Sequence, residues 1–141
     1  MLLLDFNKRV KCPWTESEVE KVFSLIQKKI KVSGELEVNI VGDKEIKNIN
    51  FRYRGLNKVT DVLSFAWQEE KLIKTASLGQ IYICYPQIVR QAKEVKVSAK
   101  EEFARMLTHG FLHIMGYDHE EKKDATRMFE IQEEIVGEYL R

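Results

Sequence analysis

With 141 residues, the chain is long enough for one domain with a sizeable buried core. Apolar residues make up 44% and charged residues 32%, with seven Gly and two Pro, which excludes a disordered, fibrous or low-complexity protein. A net charge of +1 excludes bulk attraction to nucleic acid, so any basic footprint has to be local.

Leu2 to Val10 reads as a first strand. Its apolar start is broken by Asp5, Lys8 and Arg9, which leaves it too short for a signal peptide. No run anywhere approaches the roughly 20 apolar residues of a membrane span. Cys12 and Cys84 stand far apart with no paired spacing, which predicts two inert thiols in a reducing cytosol. Thr15-Glu16-Ser17-Glu18 has the spacing of a capping box, followed by Val19, Val22, Phe23, Ile26 and Ile30 at helical period. Gly34 is the predicted stop. Leu36, Val38 and Ile40 alternate with polar residues, as in a strand with one buried face. Asp43 is placed to cap a short helix that turns Ile46, Ile49 and Tyr53 inward.

The segment VTDVLSFAW, residues 59 to 67, reads as a strand, 68 to 77 as a polar connection, and Gly79 to Tyr85 as another strand. Pro86 suits a first helical turn, with Ile88, Val89, Ala92 and Val95 as the buried stripe. Ser98 to Glu101 forms a second capping box, and Phe103, Met106, Leu107, Phe111 and Ile114 make the stripe behind it. The last helix carries Ala125, Met128, Phe129, Gln132, Ile135, Val136 and Tyr139. The expected fold is α+β: a single mixed sheet of about four strands covered by five or six helices, in one domain spanning 1–141.

All three histidines lie between residues 109 and 119, in HGFLHIMGYDH. His109 and His113 are four apart on a helix and therefore share one face. Gly116 can end that helix in a left-handed conformation, and His119 can return to the same point from the following loop. Three imidazoles with no cysteine nearby suit a transition metal, most simply one zinc per chain with an open fourth position. Three surface or capping histidines without metal are the plain alternative. The spacing HxxxHxxGxxH is that of the metzincin-type peptidases, but Gly110 stands where those enzymes have their general-base Glu.

The segment HGFLHIMGYDH resembles the YbeY family of bacterial rRNA-maturation endoribonucleases, whose pattern is close to HGxLHLxGYDH. YRGLNKVTDVLSF at 53 to 65 and LGQIYIC at 78 to 84 resemble further family blocks in the same order. Ala66 and Gln80 depart from it, where the family usually has Pro and an acidic residue. The resemblance implies a metal-dependent, single-strand-specific endoribonuclease acting in the cytoplasm on small-subunit rRNA. It further implies roles in 16S rRNA 3′ end maturation and ribosome quality control, with small-subunit ribosomal proteins and the Era GTPase as partners.

Zinc brings the pKa of its bound water to ~7, and the resulting hydroxide attacks phosphorus or takes the proton of a ribose 2′-OH. Both routes build negative charge on phosphate oxygens. Arg54, matching the arginine of the family's YRG block, is the guanidinium expected to stabilise that charge. Arg52 and Lys58 are possible phosphate contacts or solvated charges, and Tyr53 is either a stacking ring or core. Asp118 either orients an imidazole or forms a turn. Thr60 and Ser64 lack a neighbouring base and read as structural. Arg90, Lys93, Lys96, Lys100 and Arg105 make either an RNA-facing patch or a mixed solvated face. Two other functional classes remain open at this point: a zinc peptidase-like hydrolase, and a non-catalytic ribosome-associated module braced by structural zinc.

Overall fold

Leu2–Lys8 (β1) and Gly34–Val41 (β2) pair in parallel, joined through the helix Glu16–Lys29 (α1). The structure, a computed structural model, describes residues 2–66, 77–117 and 122–141. After β2 come Asp43–Arg54 (α2), the strand Val62–Ala66 (β3) and the strand Ser77–Cys84 (β4). Three helices follow: Tyr85–Val95 (α3), Ala99–Ile114 (α4) and Lys122–Leu140 (α5). The sheet order is β1-β2-β4-β3, with β2 parallel to β4 and β3 antiparallel on the outer edge. The α+β class and the mixed four-stranded sheet are as the sequence predicts, with five helices among the described residues. Trp67 and most of the predicted 68–77 connection lie outside the described residues.

Both capping boxes form at their Ser/Thr end. Thr15 Oγ1 accepts from the Glu18 amide at 3.4 Å, and Ser98 Oγ from the Glu101 amide at 3.0 Å. The main core lies on one face of the sheet, where Leu36, Val38, Ile40, Ile81 and Ile83 meet Phe103, Leu107, Phe111 and Ile135. Trp14 closes one part of it, stacked on Phe103 at 3.7 Å. A smaller cluster of Val41, Ile46, Leu63 and Cys84 lies under α2. β2 is thus one-faced at Glu35 to Glu37, as its alternation predicts, but buried on both faces from Val38 to Val41, with Asn39 fully enclosed, and the one-faced reading is corrected there.

Other expectations change as well. α1 ends at Lys29, so Gly34 does not stop it but opens β2 at φ 134°. Gly42, not Asp43, is the N-cap of α2; the Asp43 carboxylate pairs instead with Arg90 and accepts from the Cys84 thiol. β3 is shorter than 59–67, and Tyr85 belongs to α3. Tyr53, Val95 and Phe129, all expected inside, are 63%, 58% and 62% exposed. Tyr53 and Val95 sit in the last turns of their helices, where the described residues leave most of each side chain uncovered. Phe129 lies at the flank of a buried line that follows Met128, Ile131, Ile135 and Tyr139.

Candidate functional site

α4 presents its two histidines on one face, as the four-residue spacing requires. The ring centroids are 4.6 Å apart at 74°, and the two Nε2 atoms approach to 3.1 Å. His109 Nδ1 lies 3.0 Å from Oε1 of Gln132, a residue of α5 that is only 7% exposed. The amide's own orientation is set by its other end, since Gln132 Nε2 donates to Glu133 Oε2 at 3.2 Å. An amide oxygen can only accept, so Nδ1 of His109 donates to it, and Nε2 is the nitrogen left to present a lone pair to a metal. Glu133 in turn accepts from Arg105 Nε and Nη2 at 2.9 and 3.0 Å, and Arg105 also pairs with Glu101 and Glu102. Those bonds push the Arg105 guanidinium upward from its ordinary pKa, Glu133 first, and the same contact holds the Glu133 carboxyl low.

The histidines open onto a cleft of about 530 Å³ along the outer edge of the sheet. Its floor is β3 from Val62 to Phe65, preceded by Thr60 and Asp61. Arg54 lines one side, and Met106, His109 and His113 line the other. α2 delivers Arg54 because its C-cap, Gly55, takes the left-handed conformation at φ 70°, which ends the helix there. The buried Asn50 then anchors the following loop by donating to the Lys58 carbonyl at 3.0 Å. The Asp61 carboxylate accepts from the Val62 amide at 2.7 Å, the Thr60 hydroxyl at 3.3 Å and Gln91 Nε2 at 3.1 Å.

Of the sequence-predicted site residues, His109, His113 and Arg54 are brought to one cleft; His119 and Asp118 lie outside the described residues. Sequence reasoning missed Gln132, Asp61 and Asn50. Gln132 carried a signal: it is the one polar position in the α5 stripe. A Cβ at Gly110 would lie 3.2 Å from Val62 Cγ2 and 3.5 Å from Ile81 Cγ2. Gln80, the other departure from pattern, donates to Glu37 Oε2 at 2.8 Å on the α2 side of the sheet, away from the histidines. The basic run of α3 and α4 is no patch at its two arginines, since Arg90 is held by Asp43 and Arg105 by three glutamates.

The described donor set fits a borderline transition metal. Two imidazole nitrogens converge, one of them turned to present its lone pair by a bond to its other nitrogen. The family model described as Endoribonuclease YbeY matches residues 5–140. The chain belongs to the YbeY family. It is 41% identical over 122 residues to the Endoribonuclease YbeY of Malacoplasma penetrans, covering 85% of this chain and 81% of that one. To the Nitratiruptor member it is 43% identical over 104 residues, covering 74% and 69%. The solution structure of TM1509 from Thermotoga maritima superposes with a TM-score of 0.68 at 30% identity, covering 97% of this chain and 89% of that one. In this chain the blocks that carry the resemblance fall on α4, on the end of α2 with β3, and on β4. Among the described residues no helix is long and apolar enough to cross a membrane.

Proposed function

We propose that the chain is a zinc-dependent endoribonuclease, specific for single-stranded RNA, acting in 16S rRNA 3′ end maturation and ribosome quality control. Membership of the YbeY family supports the nuclease activity and the RNA substrate. The whole of 1–141 acts as one hydrolase domain in the cytoplasm, beside small-subunit ribosomal proteins and the Era GTPase. His109, His113 and His119 hold one zinc per chain. The observation that carries the reading is the facing pair of imidazole nitrogens in the same cleft as Arg54. With Nδ1 of His109 engaged by Gln132, its Nε2 faces Nε2 of His113 at 3.1 Å, so one cation lies within reach of both rings.

When bound, zinc would supply Lewis acidity beside the cleft. The rest is done by the chain. Gln132 keeps His109 in the tautomer that offers Nε2. Arg54 has no ion pair among the described residues, so its guanidinium is available to grip two phosphate oxygens and to stabilise charge growing on them. Gly110, packed against the sheet, leaves no place for a peptidase's glutamate.

Metal analysis and single-turnover cleavage of a single-stranded RNA, on the same samples, test this. The wild type is expected to hold one zinc per chain, and His113→Ala to lose most of it. Arg54→Ala is expected to keep its metal and cleave about 10²–10³ more slowly, with Arg54→Lys recovering part of the rate. Full metal in His113→Ala removes the metal centre; equal rates at matched metal discard Arg54.

A further inference from the structure

Three of the seven exposed large hydrophobic side chains among the described residues, Phe51, Tyr53 and Leu56, fall within one turn-and-a-half at the end of α2. The same stretch carries charge of one sign only. Between Glu45 and Asp61 it carries Lys47, Arg52, Arg54 and Lys58 and no acid. None of these four cations forms an ion pair among the described residues, whereas Arg9, Arg90 and Arg105 each do. The charge of a nearly neutral molecule is therefore unbalanced here, beside the cleft.

Tyr53 adjoins the cleft through two neighbours that line it, Arg54 and Phe65. It precedes Arg54 and is 63% exposed. It is not loose. Its ring leans on Phe65 at 5.2 Å and 59°, and Phe65, a wall of the cleft, leans on Tyr82 at 6.0 Å and 79°. An aromatic ring held from one side, open on the other and flanked by unpaired cations suits an unstacked base with phosphates on either side. In a duplex both faces of each base are already covered by neighbours, so such a ring finds no partner.

We propose that Tyr53 is the platform on which one base of the substrate strand stacks beside the phosphate held by Arg54, and that this contact selects unpaired RNA. The inference rests on the RNA-cleaving reading above, though it needs no particular metal. Its occupant is a single-stranded polyanion, because the surrounding charge is cationic and a flat apolar ring alone has no such requirement.

The test uses zinc-loaded wild type, Tyr53→Phe and Tyr53→Ser with a short 2′-O-methyl oligonucleotide, checked on a gel for integrity. Binding is followed by fluorescence anisotropy with each nucleotide in turn made abasic. Tyr53→Phe is expected to bind like the wild type. Tyr53→Ser is expected to bind at least about fivefold more weakly. One abasic position should weaken the wild type by a similar factor and leave Tyr53→Ser unchanged. In cleavage, the preference for single-stranded over duplex RNA should fall in Tyr53→Ser alone. Equal affinity and equal strand preference in all three overturn the proposal, leave the nuclease reading standing, and free the ring for a protein partner. A wild type that neither binds nor cleaves single strands overturns both.

Discussion

Gln132 acts on the histidine pair without touching the cleft. Its amide is clamped at one end by Glu133, which leaves the oxygen no choice but to face His109. Removing that acceptor frees the ring to rotate and to change tautomer, at little cost to the core if volume is kept. Gln132→Leu is expected to lower zinc affinity about 10- to 100-fold while leaving the dichroism spectrum intact. Competition with a chelating dye measures it, and an unchanged affinity would show that His109 is oriented by something else. The cations teach the same lesson in reverse. Arg54 and Arg105 look alike in the sequence, yet Arg105 is saturated by Glu101, Glu102 and Glu133 while Arg54 has no carboxylate partner among the described residues.

At the scale of the element, α4 serves two masters on two faces. One face holds the histidines; the other lies so close on β3 and β4 that a Cβ at position 110 would stand 3.2 Å from Val62 Cγ2. Gly110→Ala gains about 1 kcal/mol of helix propensity but presses on Val62, an overpacking that costs about 1–3 kcal/mol. The variant is expected to be slightly less stable by denaturant melt. Gly110→Glu would bury an unpaired carboxylate against Ile81 and Val62 and should fail to fold stably. A folded Gly110→Glu that cleaves casein would contradict this account of why the peptidase's base is absent. β3 contributes by its place rather than its residues. As the outer strand it leaves its free edge as the floor of the cleft.

The molecule as a whole does not depend on a metal for its core. Val19, Phe23, Phe103 and Val136 are all buried in one apolar cluster between the sheet and its helices, and each such side chain contributes roughly 1.5–3 kcal/mol. Phe129, placed with them by periodicity, is exposed and contributes little. Chelation is therefore expected to abolish cleavage and lower the melting temperature through lost binding, while far-UV dichroism and a cooperative melt persist. Unfolding on chelation at ambient temperature would mark the metal as structural instead.

Much of this architecture is written in short-range pattern. The capping boxes at Thr15 and Ser98, the stripes of α1 and α4 and the four-residue histidine spacing depend only on helix geometry, so the sequence by itself determined them. It also determined the family, because the blocks around Tyr53, Leu78 and His109 are contiguous. The tertiary structure alone decided which distant residues meet. Inserting β4 between β2 and β3 puts β3 on the edge, and that brings the end of α2 to the same cleft as α4. It decided that Gln132 reaches His109, that Arg105 is spent on glutamates, and that Tyr53 faces solvent. Periodicity reports which side of an element is apolar; it carries no information on what covers that side, or where along the helix the cover ends.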